Sequence, residues 1–292
     1  MTAFPRANLI SALTTLFDQH GAVDLGATMA AYEQLAESSL DAVFAAGTTG
    51  EFVTLTDEER LDVCSAASDA FGADRTYWHV GSASTHQAVQ LTQAAVGRGA
   101  RHLAALTPYY FAATESALLS YYEAVVEQAS GLPVYGYLFP ARSTTSVDPA
   151  LLTRIADTGI TGVKISGQPY TVVREYVEAL GDSNLPVYSG ADSEFVEVVE
   201  VGGAGVVSGV SSALPKPFLE VRDALRAGNE SALSAARERA HRAVTATRQG
   251  HLASLKAVLE LRGLDASSMR APMDPISPAD RTQLASDVSD LL

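Results

Sequence analysis

Lys164 stands near the C-terminal end of Gly159-Ile160-Thr161-Gly162-Val163-Lys164-Ile165-Ser166, a short apolar, β-branched run bounded by glycine. Such a run reads as a buried strand. A lysine is costly there unless its charge is held or its amine is kept neutral, and a neutral amine attacks carbonyl carbons. The plain alternative is a lysine that snorkels to water at the strand end or pairs with a carboxylate. Other reactive side chains fall at the ends of further strand-like runs. They are Thr48 and Thr49 in Gly47-Thr48-Thr49-Gly50-Glu51, Tyr109 and Tyr110 after Thr107-Pro108, Tyr137 and Arg142 on either side of Phe139-Pro140, and Asp192 after Gly190. Together they describe imine chemistry. The lysine condenses with a ketone, and the protonated imine draws electrons from the adjacent carbon, which can then lose a proton or break a bond. A tyrosine can carry the protons, and a glycine turn can hold a carboxylate on its backbone amides. Taken singly, the turn also reads as a plain strand-to-helix connection and the tyrosine pair as packing.

These residues can act together only if the fold gathers strand ends at one rim. Strand-like segments at 9–15, 41–46, 76–81, 101–106, 133–138, 159–166, 185–189 and 205–210 alternate with segments of helical spacing. Thr56-Asp57-Glu58-Glu59 is a capping-box pattern that opens one of the helices. From Glu230 to Leu292 only helical patterns occur. Eight such units predict a (β/α)8 TIM barrel over residues 1–227, with a C-terminal helical extension, 228–292, packed on it. A doubly wound open sheet is the rival. No strand leads into a G-x-G-x-x-G turn, and Gly202-Gly203-Ala204-Gly205 follows a helix and reads as its stop. In the barrel, functional residues sit at the C-terminal strand ends and in the loops after them.

Composition narrows the function. With 47% hydrophobic residues in 292, the chain can build one large core or two modest ones. A formal net charge of −14 repels nucleic acid and anionic lipid, which excludes both as main partners, yet an anionic small molecule can still be held by local donors. Cys64 is the only cysteine, so no intrachain disulfide forms, and its helical-looking context makes it a core residue. The six histidines show no short ligand spacing, so no metal site is expected. No hydrolase elbow occurs, and no apolar run approaches a membrane span. The expected location is the cytoplasm.

The motifs in combination resemble the pyruvate-dependent class I lyases, the family that includes dihydrodipicolinate synthase, N-acetylneuraminate lyase and the 2-keto-3-deoxy sugar-acid aldolases. The resemblance runs from Leu13-Thr14 to Pro272-Met273-Asp274-Pro275-Ile276. It rests on Gly47-Thr48-Thr49-Gly50-Glu51, Thr107-Pro108-Tyr109-Tyr110, Tyr137-Leu138-Phe139-Pro140, Gly162-Val163-Lys164 and Ser189-Gly190-Ala191-Asp192. It implies that Lys164 is the Schiff-base lysine, with no cofactor or metal beyond that covalent imine, and that Tyr137 is the general acid–base. Thr48, Thr49 and Gly50 would bind the pyruvate carboxylate, and Thr48 would link Tyr137 into a proton relay that Tyr110 completes across a tight dimer. Arg142 would stand at the site entrance. Ser166, Gly190, Asp192, Val207 and Ser208 would bind substrate, and Ser166, Ser189, Asp192 and Ser208 would offer partners to the hydroxyls of a polyol tail.

Two positions depart from the family pattern. Leu138 replaces the asparagine of Tyr-Asn-x-Pro, and Ile165 replaces the polar residue that commonly follows the lysine. Both changes read as a less polar neighbourhood for the second substrate. The small-molecule partners implied are pyruvate or another 2-keto acid plus an aldehyde, and the implied assembly is a homo-oligomer, a dimer of dimers. Among activities, a 2-keto-3-deoxy (sugar) acid aldolase or dehydratase stands ahead of dihydrodipicolinate synthase. A non-catalytic barrel that binds a keto acid remains a distant third.

Overall fold

The computed structural model of the chain describes residues 3–266 and 268–292. The elements in order are β1 (Asn8–Ala12), α1 (Leu25–Ala36), β2 (Ala42–Ala45), α2 (Asp57–Phe71), β3 (Thr76–His79), α3 (Thr85–Gly97), β4 (His102–Leu106) and α4 (Glu115–Gln128). They continue with β5 (Val134–Leu138), α5 (Pro140–Ser143), α6 (Pro149–Ala156), β6 (Gly162–Ile165), α7 (Tyr170–Leu180), β7 (Val187–Ser189), α8 (Phe195–Glu200) and β8 (Gly205–Ser208). The chain ends with α9 (Pro215–Ala227), α10 (Glu230–Ala246), α11 (Leu252–Leu261) and α12 (Pro278–Val288). The strands follow one another from β1 to β8 in a closed barrel, which makes the fold a (β/α)8 TIM barrel with C-terminal helices.

Local chemistry starts the helices where the sequence predicts. Thr56 and Glu59 form the capping box of α2. Asp24, Ser84, Thr114 and Asp148 each accept an amide hydrogen bond in the first turn of α1, α3, α4 and α6. Such a cap stabilises a helix by about 1 kcal/mol. The short helix α5 is not apparent in the sequence pattern; Pro140 opens it, with φ already set for a helix start. None of the described helices is long and apolar enough to cross a membrane.

By density of contacts the chain resolves into two compact units, Met1–Gly72 with Ser208–Leu292, and Ala73–Val207. In the first, β1 pairs with β2 in parallel, Ile10 opposite Ala42 and Ala12 opposite Phe44. Helices α1 and α2 pack together, as do α9 and α10.

In the second unit the register of neighbouring strands sorts side chains between the two faces of the sheet, as the period of two requires. Tyr77 on β3 meets Tyr135 on β5 edge-to-face at 5.0 Å, and Tyr135 in turn lies 6.3 Å from Tyr188 on β7. Tyr135 stands opposite Gly162, and the missing side chain there gives its ring room. On the helix side, the fully buried Tyr121 and Tyr122 of α4 donate their hydroxyls to the Leu106 and Ala105 carbonyls at 2.9 and 3.3 Å.

Because a Cβ at residue 162 would fall on the Tyr135 ring, Gly162→Ala is an overpacking change expected to cost about 1–3 kcal/mol. Urea unfolding of the variant tests this, and an unchanged midpoint would show that the ring can move aside freely.

Candidate active site

Strand pairing places Tyr137 of β5 directly opposite Lys164 of β6. Both side chains are buried, at 1% and 5% exposure. Lys164 therefore does not snorkel to water. Its ammonium nitrogen lies 3.9 Å from the centroid of the Tyr137 ring, a cation–π contact that is stronger when desolvated. The chain has three lysines, and the other two lack this setting. Lys216 is exposed, and Lys256 lies 2.7 Å from the Glu51 carboxylate.

Two further rings frame Tyr137. His79, at the end of β3, meets it nearly at right angles with centroids 6.0 Å apart. The Leu106 amide points at His79 Nε2 at 3.3 Å, which makes that nitrogen an acceptor. Phe139 lies near-parallel to Tyr137 at 6.2 Å. In the sequence His79 reads only as one of six histidines without ligand spacing, and Phe139 carries no role of its own. The signal lies in the two-residue period: His79 follows Tyr77, and Phe139 follows Tyr137.

The same period corrects one expectation. Leu138 stands opposite Ile165, one residue beyond Tyr137 and Lys164, and so lies on the other face of the sheet. Both are almost fully buried. Their apolarity serves helix packing and does not line the neighbourhood of Lys164. The apolar residue that does face Tyr137 is Phe139. It packs on Gly167, where a Cβ would come within 2.7 Å of its ring, and the Arg142 guanidinium of α5 lies 6.0 Å from its centroid.

The remaining residues of this unit are placed as follows. Ser166 is buried with its hydroxyl against Gly190, whose amide donates to the Ile165 carbonyl at 2.7 Å. Ser189 Oγ accepts the Ala191 amide at 3.1 Å, so its oxygen is used locally while its proton is free to be donated. Asp192 is half-buried in a one-turn 3-10 helix, and Val207 is buried in β8. Tyr110 lies at the surface. It is 79% exposed, at φ +80°, in edge-to-face contact with the equally exposed Phe111 at 4.9 Å. A left-handed tyrosine costs about 1–3 kcal/mol.

The first unit carries the glycine turn. Ala46 and Glu51, at φ 51° and 59°, are left-handed non-glycine residues on either side of Gly47–Gly50. The Glu51 amide closes the turn on the Thr48 carbonyl at 3.0 Å. Thr15 Oγ1 donates to the Gly50 carbonyl at 2.8 Å. A Cβ at Gly47 would meet the Phe44 ring at 2.7 Å, and one at Gly50 would press on the Leu13 carbonyl at 3.1 Å. Thr48 and Thr49 are half-buried on this backbone. Thr49 Oγ1 lies against Gly209, and Ser208 Oγ accepts the Ser211 amide at 2.9 Å. Among the described residues no cluster of three His, Cys, Asp or Glu side chains could hold a metal ion.

A closed parallel barrel with a lysine amine buried against a tyrosine at its strand ends is an enzyme scaffold of the aldolase type. The chain belongs to the dihydrodipicolinate synthetase family, whose profile matches residues 5–291. It is 32% identical over 296 residues to a 4-hydroxy-tetrahydrodipicolinate synthase of Kineococcus radiotolerans, covering 98% of this chain and 93% of that protein. The structure of dihydrodipicolinate synthase DapA-2 from Bacillus anthracis superposes with a TM-score of 0.90 at 26% identity over the full length of both chains. A variant of the Sulfolobus solfataricus 2-keto-3-deoxygluconate aldolase shares the fold, with a TM-score of 0.87 at 24% identity over 97% of this chain and 96% of that one. The protein is accordingly a lyase of this family.

Downstream of the turn, Arg270 donates to the Glu59 carboxylate through both terminal nitrogens, at 2.9 and 2.8 Å. That pairing holds the Glu59 carboxyl down at about 2, against the partial burial that raises it. In the unfolded chain the group returns to about 4.3. Its contribution to stability is therefore full above the unfolded value and is lost as pH falls towards about 2. Glu59→Gln is expected to lower stability at neutral pH and to flatten the acid limb of the stability profile in that window. Urea midpoints across a pH series test this, and parallel profiles would refute it.

Proposed function

We propose that the protein makes or breaks a carbon–carbon bond of a 2-keto acid through an imine on Lys164, without a metal. The observation that carries the reading is the buried Lys164 amine over the Tyr137 ring, on adjacent strands in register. The neutral amine adds to the keto carbon of pyruvate, and loss of water gives the iminium. C3 then loses a proton to form an enamine, which attacks an aldehyde carbon; in reverse, the C3–C4 bond breaks and its electrons flow into the iminium. Tyr137 gives and takes the protons of these steps. Thr48, Thr49 and Gly50 take the carboxylate through hydroxyl and amide donors. Tyr110, exposed on a strained loop, completes the proton relay in a partner copy, within a dimer of dimers.

For the second half of the substrate, the reading is a 2-keto-3-deoxy acid that is cleaved or dehydrated. It is supported by buried hydroxyls at the ends of β6 to β8, on Ser166, Ser189 and Ser208. Hydroxylated substrates suit such groups, since a serine hydroxyl can both donate and accept a hydrogen bond. Condensation of pyruvate with aspartate semialdehyde is the second reading. It is favoured by Arg142 beside Phe139, as a partner for a carboxylate, and by the relatives that bear the synthase name.

Borohydride with pyruvate is expected to modify Lys164 irreversibly, the adduct mapping there and not to Lys216 or Lys256. Tyr137→Phe should still be trapped yet turn over about 10²–10⁴-fold more slowly. Labelling elsewhere, or none in a folded protein, would remove the mechanism. A comparison of kcat/KM for keto-deoxy acid cleavage and semialdehyde condensation orders the substrates. A semialdehyde preference of about a hundredfold, about 2.7 kcal/mol, would put the synthase reading first.

A further inference from the structure

The chain buries a second lysine that the imine chemistry does not use. Lys256 on α11 has a side chain 2% exposed, and its partner Glu51 is 0% exposed. The amine lies 2.7 Å from Glu51 Oε1 and 4.2 Å from the centroid of Phe17, and it donates to the Ser268 carbonyl at 3.2 Å. Lys256 and Glu51 thus form an ion pair that is shut away from water on both sides. Burial raises the Glu51 carboxyl and lowers the Lys256 amine, and each opposes the shift of the other. A buried charge whose partner is removed is strongly destabilised, so the two residues are bound to act together.

The position of Glu51 gives the pair its meaning. Glu51 is the left-handed residue that ends the Gly47–Gly50 turn. Its amide closes the turn on Thr48, and its carbonyl receives the Thr54 amide at 2.8 Å and hydroxyl at 2.9 Å. Nothing in packing requires an acid there, and an acid buried in a strained conformation is a poor choice unless its charge is used. Arg270 reinforces the arrangement from the same C-terminal segment. It donates to the Thr54 carbonyl at 2.7 Å and lies 4.6 Å from the centroid of Phe17. The segment Glu51–Thr54 is thus gripped at its first residue by Lys256 and at its last by Arg270.

We propose that Lys256 and Glu51 are a positioning pair: through it the C-terminal helices hold the Thr48–Gly50 amides and hydroxyls in the shape that accepts the substrate carboxylate. The proposal rests on the assignment of that turn to the carboxylate. It makes the helical extension part of the substrate-binding machinery. When the tether is cut, Glu51 is free to leave its left-handed conformation, and the donors lose their common aim.

The test uses the full-length chain and borohydride trapping at Lys164 with two ketones. Pyruvate carries the carboxylate and acetone lacks it. In Lys256→Met the half-saturating pyruvate concentration is expected to rise at least tenfold, with trapping by acetone unchanged, so the selectivity for pyruvate over acetone falls by the same factor. Lys256→Arg should restore part of it. If Lys256→Met does not fold, Glu51→Gln with Lys256→Met removes both charges, leaves no isolated one, and is read by the same ratio. A folded variant that keeps the wild-type ratio, whether trapping by both ketones is intact or equally reduced, overturns the proposal and leaves the pair a stabilising contact only. A wild-type protein trapped equally by both ketones overturns it in a different way, by showing that the turn does not read the carboxylate. A wild-type protein trapped by neither overturns the imine reading itself, and the proposal with it.

Discussion

An ammonium group taken out of water must be compensated by what surrounds it, and the nature of that compensation decides what the lysine can do. The protein buries two lysines and surrounds them differently. Lys256 faces a carboxylate at ion-pair distance, which opposes the lowering that burial imposes on the amine. Lys164 faces the π-surface of Tyr137. An aromatic face attracts a cation through its quadrupole and carries no full opposite charge. The two lysines are told apart by this contrast more than by their burial, which is nearly equal.

The neighbourhood of Lys164 depends on strand register. Parallel pairing without bulges between β5, β6 and β7 puts Tyr137, Lys164 and Tyr188 in one row. Small residues in the same strands make that row possible. Gly162 yields to the Tyr135 ring, and Gly136 on the opposite face yields to Tyr122 and Ile160. A side chain at residue 162 would push the Tyr135 ring out of place, and one at residue 136 would press on Ile160.

The glycine turn is built on the other principle, conformation held against its own preference. Ala46 and Glu51 occupy a left-handed region that ordinary residues avoid, and Gly47 and Gly50 sit where a Cβ would press on its neighbours. Such a backbone persists only when the surroundings over-determine it. Those surroundings are a threonine hydroxyl from the segment after β1, a carbonyl closure within the turn, and two cations from the C-terminal segment.

By itself the sequence determined the alternation of eight strands with helices, the helix start at Thr56, and the family. It also singled out Lys164 and Tyr137 as the pair to watch. These are local or motif-borne facts: caps act within one turn, periodicity within a dozen residues, and motifs within five. Tertiary structure alone decided which side of the sheet each strand-end residue faces. It turned Leu138 and Ile165 to the helices and set Phe139 and His79 against Tyr137. It left Tyr110 in solvent, and it joined Lys256 to Glu51 across most of the chain length. Register and long-range ion pairing depend on two segments at once. A one-residue slip between strands exchanges the faces without altering any local pattern, so no single stretch of the sequence could have revealed them.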